Sequence, residues 1–213
     1  MWVKICGVTD PANAKAVAAT PGVSAVGLNF FAKSPRFISR KQAVEVRRAV
    51  GRTAVPVGLF VNESVTTIRY VCERLQIDTV QLHGSEPAET VRDLSPLRVI
   101  RVIRVPNGRI AEAVGLTLDS VGDAENLEAI LLDAASETAL GGTGRRLDWD
   151  ELARCERATW PRMILAGGLR PENVAEAVAT VRPDGVDAAS GVESTVGVKA
   201  IDAVRRFAAA ASG

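Results

Sequence analysis

The chain has 213 residues with 26 Lys+Arg against 25 Asp+Glu, a formal charge of +1, and so offers no electrostatic reason for a nucleic-acid or membrane partner. Hydrophobic residues make up 47% but aromatics only 4%, so a core must be built from Ala, Val, Leu and Ile, and the length suits one domain spanning 1–213. Three cysteines without CxxC spacing fit a reducing, cytoplasmic setting, and with a single histidine they argue against a structural metal site; no membrane span or signal peptide is expected.

In chain order, the β-formers Val3 and Ile5 run into Cys6-Gly7, and Asp10-Pro11 has the form of a helix start. The chain therefore opens as strand, turn and helix, with a thiol at the strand's carboxyl end. Counting that first strand, Val3–Cys6, apolar runs predict eight: Ala25–Phe30, Val55–Val61, Thr79–His83, Arg98–Val102, Ala129–Asp133, Met163–Ala166 and Gly185–Ala189 follow. Each is apolar on both faces, as strands covered by helices on one side and a packed interior on the other must be. Ser39 and Gln42 form a capping box ahead of Ala43, Val46 and Val50. Asn62 is predicted to cap a helix whose stripe is Val65, Ile68, Cys72 and Leu75. Between Pro106 and Asn126, Gly115 and Gly122 are expected to interrupt any helix. Pro171 stands near another helix start, and Ile201, Val204 and Phe207 mark the last. Eight strand–helix units in this length predict an α/β fold, a single (β/α)8 barrel with a parallel eight-stranded core. A dinucleotide-binding sheet is disfavoured, because the first loop has one glycine, Gly7.

A barrel of this type carries its site on the loops after the strands' carboxyl ends. Lys4 shares the face of Cys6, and Asp187 ends the strand that would neighbour strand one, so a Lys4–Asp187 pair inside the barrel is expected. An ammonium there would favour the Cys6 thiolate. Ile130 and Leu132 should face the helices, which aims Leu131 and Asp133 at the barrel axis or mouth. Gly167-Gly168 and Ala189-Ser190-Gly191, in the seventh and eighth loops, suit a phosphate cradle. Arg36, in the basic loop Phe30–Ser39 that also holds Lys33, suits a carboxylate or phosphate group. His83 is a candidate acid or base, or an orienter of its neighbours. Cys72 and Cys155 read as packing residues on helix faces. The loop at 30–40 and the GGTG stretch, Gly141–Gly144, have lengths and glycines that suit closure over a substrate.

Taken together, KICG at Lys4–Gly7, SPRFIS at Ser34–Ser39, FVN at Phe60–Asn62, QLHG at Gln81–Gly84 and LLD at Leu131–Asp133 resemble the phosphoribosylanthranilate isomerases of tryptophan biosynthesis. GGTGRRLDW at Gly141–Trp149, AGGLRPENV at Ala166–Val174 and DAASGVES at Asp187–Ser194 continue the series in order. The resemblance implies a (β/α)8 barrel that performs an Amadori rearrangement of N-(5′-phosphoribosyl)anthranilate without a cofactor. It further implies Cys6 as general base, Asp133 as general acid and Arg36 as the ligand of the anthranilate carboxylate. The phosphate would lie on Gly167, Gly168, Ala189, Ser190 and Gly191, and Asp187, Lys4 and His83 would contact or orient the substrate. Departures from the family pattern are Leu28-Asn29 in strand two, Ala189 for a serine, Leu147 in LDW, and Ala200 where an acidic helix cap is usual.

Two rivals are weighed. A histidine-pathway phosphoribosyl isomerase would carry an aspartate in place of Cys6 and a half-barrel repeat, and no repeat between 1–105 and 106–213 is evident. A non-catalytic barrel binding phosphometabolites would have no need of facing thiol and carboxyl groups. Either way the partner is a small molecule; whether the chain is a monomer or a homodimer is not legible.

Overall fold

The computed structural model describes residues 1–106, 108–134 and 147–213. Among them eight parallel strands close a barrel in sequence order. They are β1 (Trp2–Cys6), β2 (Ala25–Asn29), β3 (Val55–Phe60), β4 (Thr79–Leu82), β5 (Arg98–Val105), β6 (Leu127–Ala134), β7 (Arg162–Leu165) and β8 (Gly185–Ala188). Each is followed by a helix: α1 (Pro11–Ala18), α2 (Arg40–Val50), α3 (Val65–Leu75), α4 (Glu89–Asp93), α5 (Ile110–Val121), α6 (Trp149–Arg154), α7 (Val174–Val181) and α8 (Ile201–Ser212). Between β8 and α8 the chain inserts a 3-10 turn (Ser190–Val192) and a small hairpin of β9 (Glu193–Thr195) and β10 (Val198–Lys199). No helix among the described residues is long and apolar enough to cross a membrane.

Two apolar layers follow from the period-two alternation of the strands. Val3, Ile5, Val26, Leu28, Ile130, Leu132 and Leu165 face outward into one continuous core with the helices. Ala25, Val57, Ile100, Val102, Ala129, Leu131 and Ile164 face inward and fill the barrel. The same alternation carries Lys4 and Cys6, Gln81 and His83, Arg104, and Asp133 to the inward face at its upper end. Sheet register makes Lys4 the neighbour of Asp187, Cys6 of Gly27, and Arg104 of Asp133.

Helix starts are set by local chemistry. Asp10 accepts the Asn13 N–H at 2.8 Å with Pro11 in the first turn. Ser39 and Gln42 make a reciprocal capping box, Ser39 Oγ accepting the Gln42 N–H at 3.2 Å and Gln42 Oε1 accepting the Ser39 N–H at 3.0 Å. Two sequence expectations are corrected. The cap of α3 is Ser64, which accepts the Thr67 N–H at 3.1 Å, and not Asn62. Asn62 instead takes a left-handed conformation and accepts the Ser85 N–H at 2.7 Å, tying the third loop to the fourth. Gly115 lies within α5 and does not break it, because packing of Ile110, Val114 and Val121 outweighs a single glycine's cost; Gly122 ends the helix at φ 61°. Ala200 begins α8 without a side-chain cap.

Ser39→Ala removes one half of the capping box and should cost about 1 kcal/mol, a fall in Tm of about 2–4 °C for a chain of this size. Thermal unfolding followed by circular dichroism measures it, and Ser64→Ala should cost a similar amount.

Candidate active site

The carboxyl ends of the strands surround a cavity lined by Cys6, Gly7, Arg36, Gln81, His83, Arg104, Asp133, Gly167, Gly168, Asp187, Ala189, Ser190 and Gly191. Ten of the eleven residues singled out from the sequence therefore line one cavity. The eleventh, Lys4, does not line it. Its side chain is fully buried, with Nζ 2.6 Å from Asp187 Oδ1, joining β1 to β8 as expected. The Gly141–Gly144 stretch lies outside the described residues.

Cys6 ends β1 beside Gly27 of β2. A Cβ on Gly27 would stand 2.7 Å from the Cys6 sulfur, so the missing side chain makes the room the thiol occupies. Lys4 pulls the thiol toward ionisation, as expected. Burial is the larger effect, however, and with Asp187 it leaves the Cys6 thiol above its ordinary 9.0. The expected pull of Lys4 is therefore present but outweighed by burial. Lys4 itself is pushed down by burial but more than restored by Asp187 and Cys6, so it is charged.

Asp133 follows Leu132 on β6 and points inward, as the alternation requires. Burial first, and Asp187 second, raise its carboxyl to about 6, against smaller opposing pulls from the Ala134 N–H, Arg104 and Lys4. Gly167 packs against it, a Cβ there falling 2.9 Å from Asp133 Oδ1. His83 Nε2 is 4.0 Å from Asp133 Oδ2. Burial, Arg104 and Lys4 lower the imidazole to about 4, so His83 is neutral near pH 7. Gln81 Nε2 lies 2.9 Å from His83 Nδ1. Since the amide nitrogen can only donate, Nδ1 accepts and the ring proton sits on Nε2, toward Asp133.

The seventh and eighth loops form a glycine-lined wall. Gly167 and Gly168 have φ of 86° and 70°, in the left-handed region. Gly191 packs so closely on the Leu169 carbonyl that a Cβ would overlap it. Arg36 stands across the mouth with both Nε and Nη2 on the Glu193 carboxylate, at 2.8 and 2.7 Å.

Four residues of the site escaped the sequence reading. Arg104 donates to the His83 carbonyl at 2.8 Å. A fifth strand ending at Val102 leaves it out, whereas β5 runs on to Val105 and the inward series Ile100, Val102, Arg104 includes it. Gln81 stands inside the QLHG motif, with its Oε1 buried and unbonded. Glu193 and Lys199 lie beyond the eighth strand, and only the tertiary fold brings them to Arg36.

The barrel, with its cavity at the strands' carboxyl ends, defines the class: a (β/α)8-barrel enzyme. Residues 3–210 match the family model described as N-(5′phosphoribosyl)anthranilate (PRA) isomerase. An N-(5′-phosphoribosyl)anthranilate isomerase of Myxococcus xanthus is 43% identical over 209 residues, covering 98% of this chain and 95% of that protein. The crystal structure of phosphoribosyl anthranilate isomerase from Thermotoga maritima is 35% identical, with a TM-score of 0.87 over 100% of this chain and 99% of that one. A phosphoribosyl anthranilate isomerase crystallised with reduced 1-(o-carboxyphenylamino)-1-deoxyribulose 5-phosphate is 34% identical, with a TM-score of 0.84 and the same coverage. The chain belongs to the N-(5′-phosphoribosyl)anthranilate isomerase family, enzymes of tryptophan biosynthesis.

Because the folded state binds the Asp133 proton more tightly than the ordinary 3.8, its favourable contribution is present below pH 4 and lost as pH rises through about 6. Asp133→Asn should therefore be more stable than the wild type at pH 8, by up to about 3 kcal/mol, with the gap closing by pH 4. Urea unfolding at the two pH values measures the gap.

Proposed function

We propose that this chain converts N-(5′-phosphoribosyl)anthranilate to 1-(2-carboxyphenylamino)-1-deoxyribulose 5-phosphate by acid–base catalysis, with Asp133 as acid and Cys6 as base. The observation that carries the reading is the shared cavity: a carboxyl raised to about 6 and a buried thiol open into it from β6 and β1. The substrate would stretch between two anion sites. Its phosphate would rest on the backbone of Gly167, Gly168, Ala189, Ser190 and Gly191, and its anthranilate carboxylate on Arg36.

In the first step the neutral Asp133 carboxyl gives its proton to the furanose ring oxygen. The anthranilate nitrogen's lone pair forms the C1′–N double bond as the C1′–O bond breaks, giving a protonated Schiff base. In the second step the Cys6 thiolate removes the C2′ proton, now acidified by the iminium, and the electron pair moves to nitrogen to give the enolamine. Tautomerisation yields the aminoketose. Protons balance, since Asp133 has lost one and Cys6 has gained one, and one proton passed back resets the pair. Neutral His83, with its proton on Nε2 toward Asp133, orients the carboxyl without competing as an acid. Asp187, which lines the cavity, would contact the sugar hydroxyls while Lys4 neutralises it from within the barrel.

The free site favours the opposite distribution, with Asp133 ionised and Cys6 protonated. The active form is its minor tautomer, and what the site gives up in population it recovers in base strength, because a thiolate of high proton affinity abstracts a carbon-bound proton better. The state that holds one proton on the two groups spans the interval from about 6, where Asp133 ionises, to the Cys6 ionisation above 9.0.

Two experiments test the reading. Turnover followed by loss of anthranilate-type fluorescence, with substrate generated in situ, should fall about 10²–10⁴-fold in Cys6→Ser and in Asp133→Asn. Calorimetric binding of the reduced product analogue should survive in both. In the wild type, kcat/KM should rise as pH passes about 6 and fall above 9.0. Full activity in either variant, or an acid limb unmoved by Asp133→Asn, would remove the assignment.

A further inference from the structure

Arg36 is held from two sides. Beneath it, Gly7 has a φ of 74°, and a Cβ there would come within 2.6 Å of Arg36 Cδ, so only glycine lets the arginine stem lie across the first loop. At its head Glu193 takes one whole edge of the guanidinium, Nε donating to Oε1 and Nη2 to Oε2. A guanidinium has a second in-plane edge, formed by Nη1 and Nη2, with the same fork spacing. Glu193 leaves that edge for another carboxylate, and Arg36 lines the cavity.

Glu193 is itself fixed. Its Oε1 also accepts from Lys199 Nζ at 2.7 Å and from the Gly197 N–H at 3.0 Å. Lys199 is fully buried at its side chain, and its Nζ donates a second bond to the Ala189 carbonyl at 3.1 Å. The hairpin carrying both residues is tied to the first loop and α1. Thr9 Oγ1 donates to the Gly197 carbonyl at 2.9 Å, and the Asn13 side chain makes two bonds to the Lys199 backbone, at 2.8 and 2.9 Å. The carboxylate therefore has little freedom to follow Arg36; Arg36 must come to it.

We propose that Glu193, shared with Lys199, is the positioning residue of Arg36, fixing one edge of the guanidinium so that the other receives the aromatic carboxylate of the substrate. The inference rests on the isomerase reading above and deepens it. An arginine already oriented loses less rotational freedom when its ligand arrives, so Glu193 strengthens carboxylate binding although it carries a like charge. A Glu193 that only neutralised Arg36 would act in the opposite sense, and its removal would tighten binding of an anion.

The test compares calorimetric Kd values for two stable ligands, the reduced product analogue and its counterpart without the aromatic carboxylate. In Glu193→Gln the Kd for the carboxylated ligand should rise about tenfold while that for the carboxylate-free ligand stays within about twofold. Glu193→Asp keeps the charge but draws it back by one methylene, and should show the same selective loss. Thermal melts confirm that each variant is folded, and either variant alone suffices. Unchanged or tighter binding of the carboxylated ligand, a wild-type value in Glu193→Asp, or an equal loss for both ligands would overturn the inference. Wild-type protein that binds neither ligand would overturn the isomerase reading, and this inference with it.

Discussion

The Lys4–Asp187 pair is the constraint on which the mouth of the barrel depends. A fully buried ammonium is tolerable only with a carboxylate against it, and removing one partner of such a pair typically costs about 3–5 kcal/mol. Lys4 stands on β1 and Asp187 on β8, so the bond of 2.6 Å also spans the seam where the last strand meets the first. Every inward residue above it is placed relative to that seam: Cys6 one pleat further along β1, and the eighth loop directly after Asp187. The pair also supplies two of the charges that act on the Cys6 thiol, in opposite senses.

Desolvation governs the rest of the electrostatics. Burial raises both Cys6 and Asp133 and lowers His83, so each of the three is driven toward its neutral form. Specific neighbours then separate them. Asp187 reinforces the effect on Asp133, whereas Arg104 and Lys4 oppose it and hold the carboxyl at about 6. The result is two titratable groups of different strength, Cys6 and Asp133, in one cavity, which is what the proposed exchange between a ring oxygen and a carbon-bound proton requires.

Much of this was legible in the sequence because alternation in a strand is a rigid rule. Ile130 and Leu132 on one face place Leu131 and Asp133 on the other, and the same parity joins Lys4 to Cys6. All eight strands were found on that basis, as was the Lys4–Asp187 pair, which needed only the closure of β8 on β1. Helix caps were less legible. Asn62 and Ser64 are both good caps by residue type, and the choice between them turns on Ser85, a partner more than twenty residues away. Gly115 misled because propensity was read without the packing of α5. For the Cys6 thiol the pull of Lys4 was legible, whereas the larger effect of burial was not, because depth of burial is not written in the sequence. Glu193 and Lys199 sit in a hairpin whose contact with Arg36 spans 157 positions, and no local periodicity encodes that distance.

Charge balance links these features to substrate. Lys4, Lys199, Arg36 and Arg104 gather around the cavity against the carboxylates of Asp187, Glu193 and Asp133, and the internal pairs consume most of that charge. What remains is an excess of positive potential suited to a ligand that is anionic at both ends. A phosphate and an aryl carboxylate entering this space would add negative charge near Asp133, against the pull of Arg104 and Lys4, and would drive its proton affinity upward. The ligand would thus favour the protonated form of Asp133, the form that its proposed role as acid requires. The same anions would oppose ionisation of Cys6, which is then left to the two buried lysines that favour it, Lys4 and Lys199. Neither lines the cavity, and Lys4 is sealed inside the barrel, which gives its burial a chemical reason as well as a structural one.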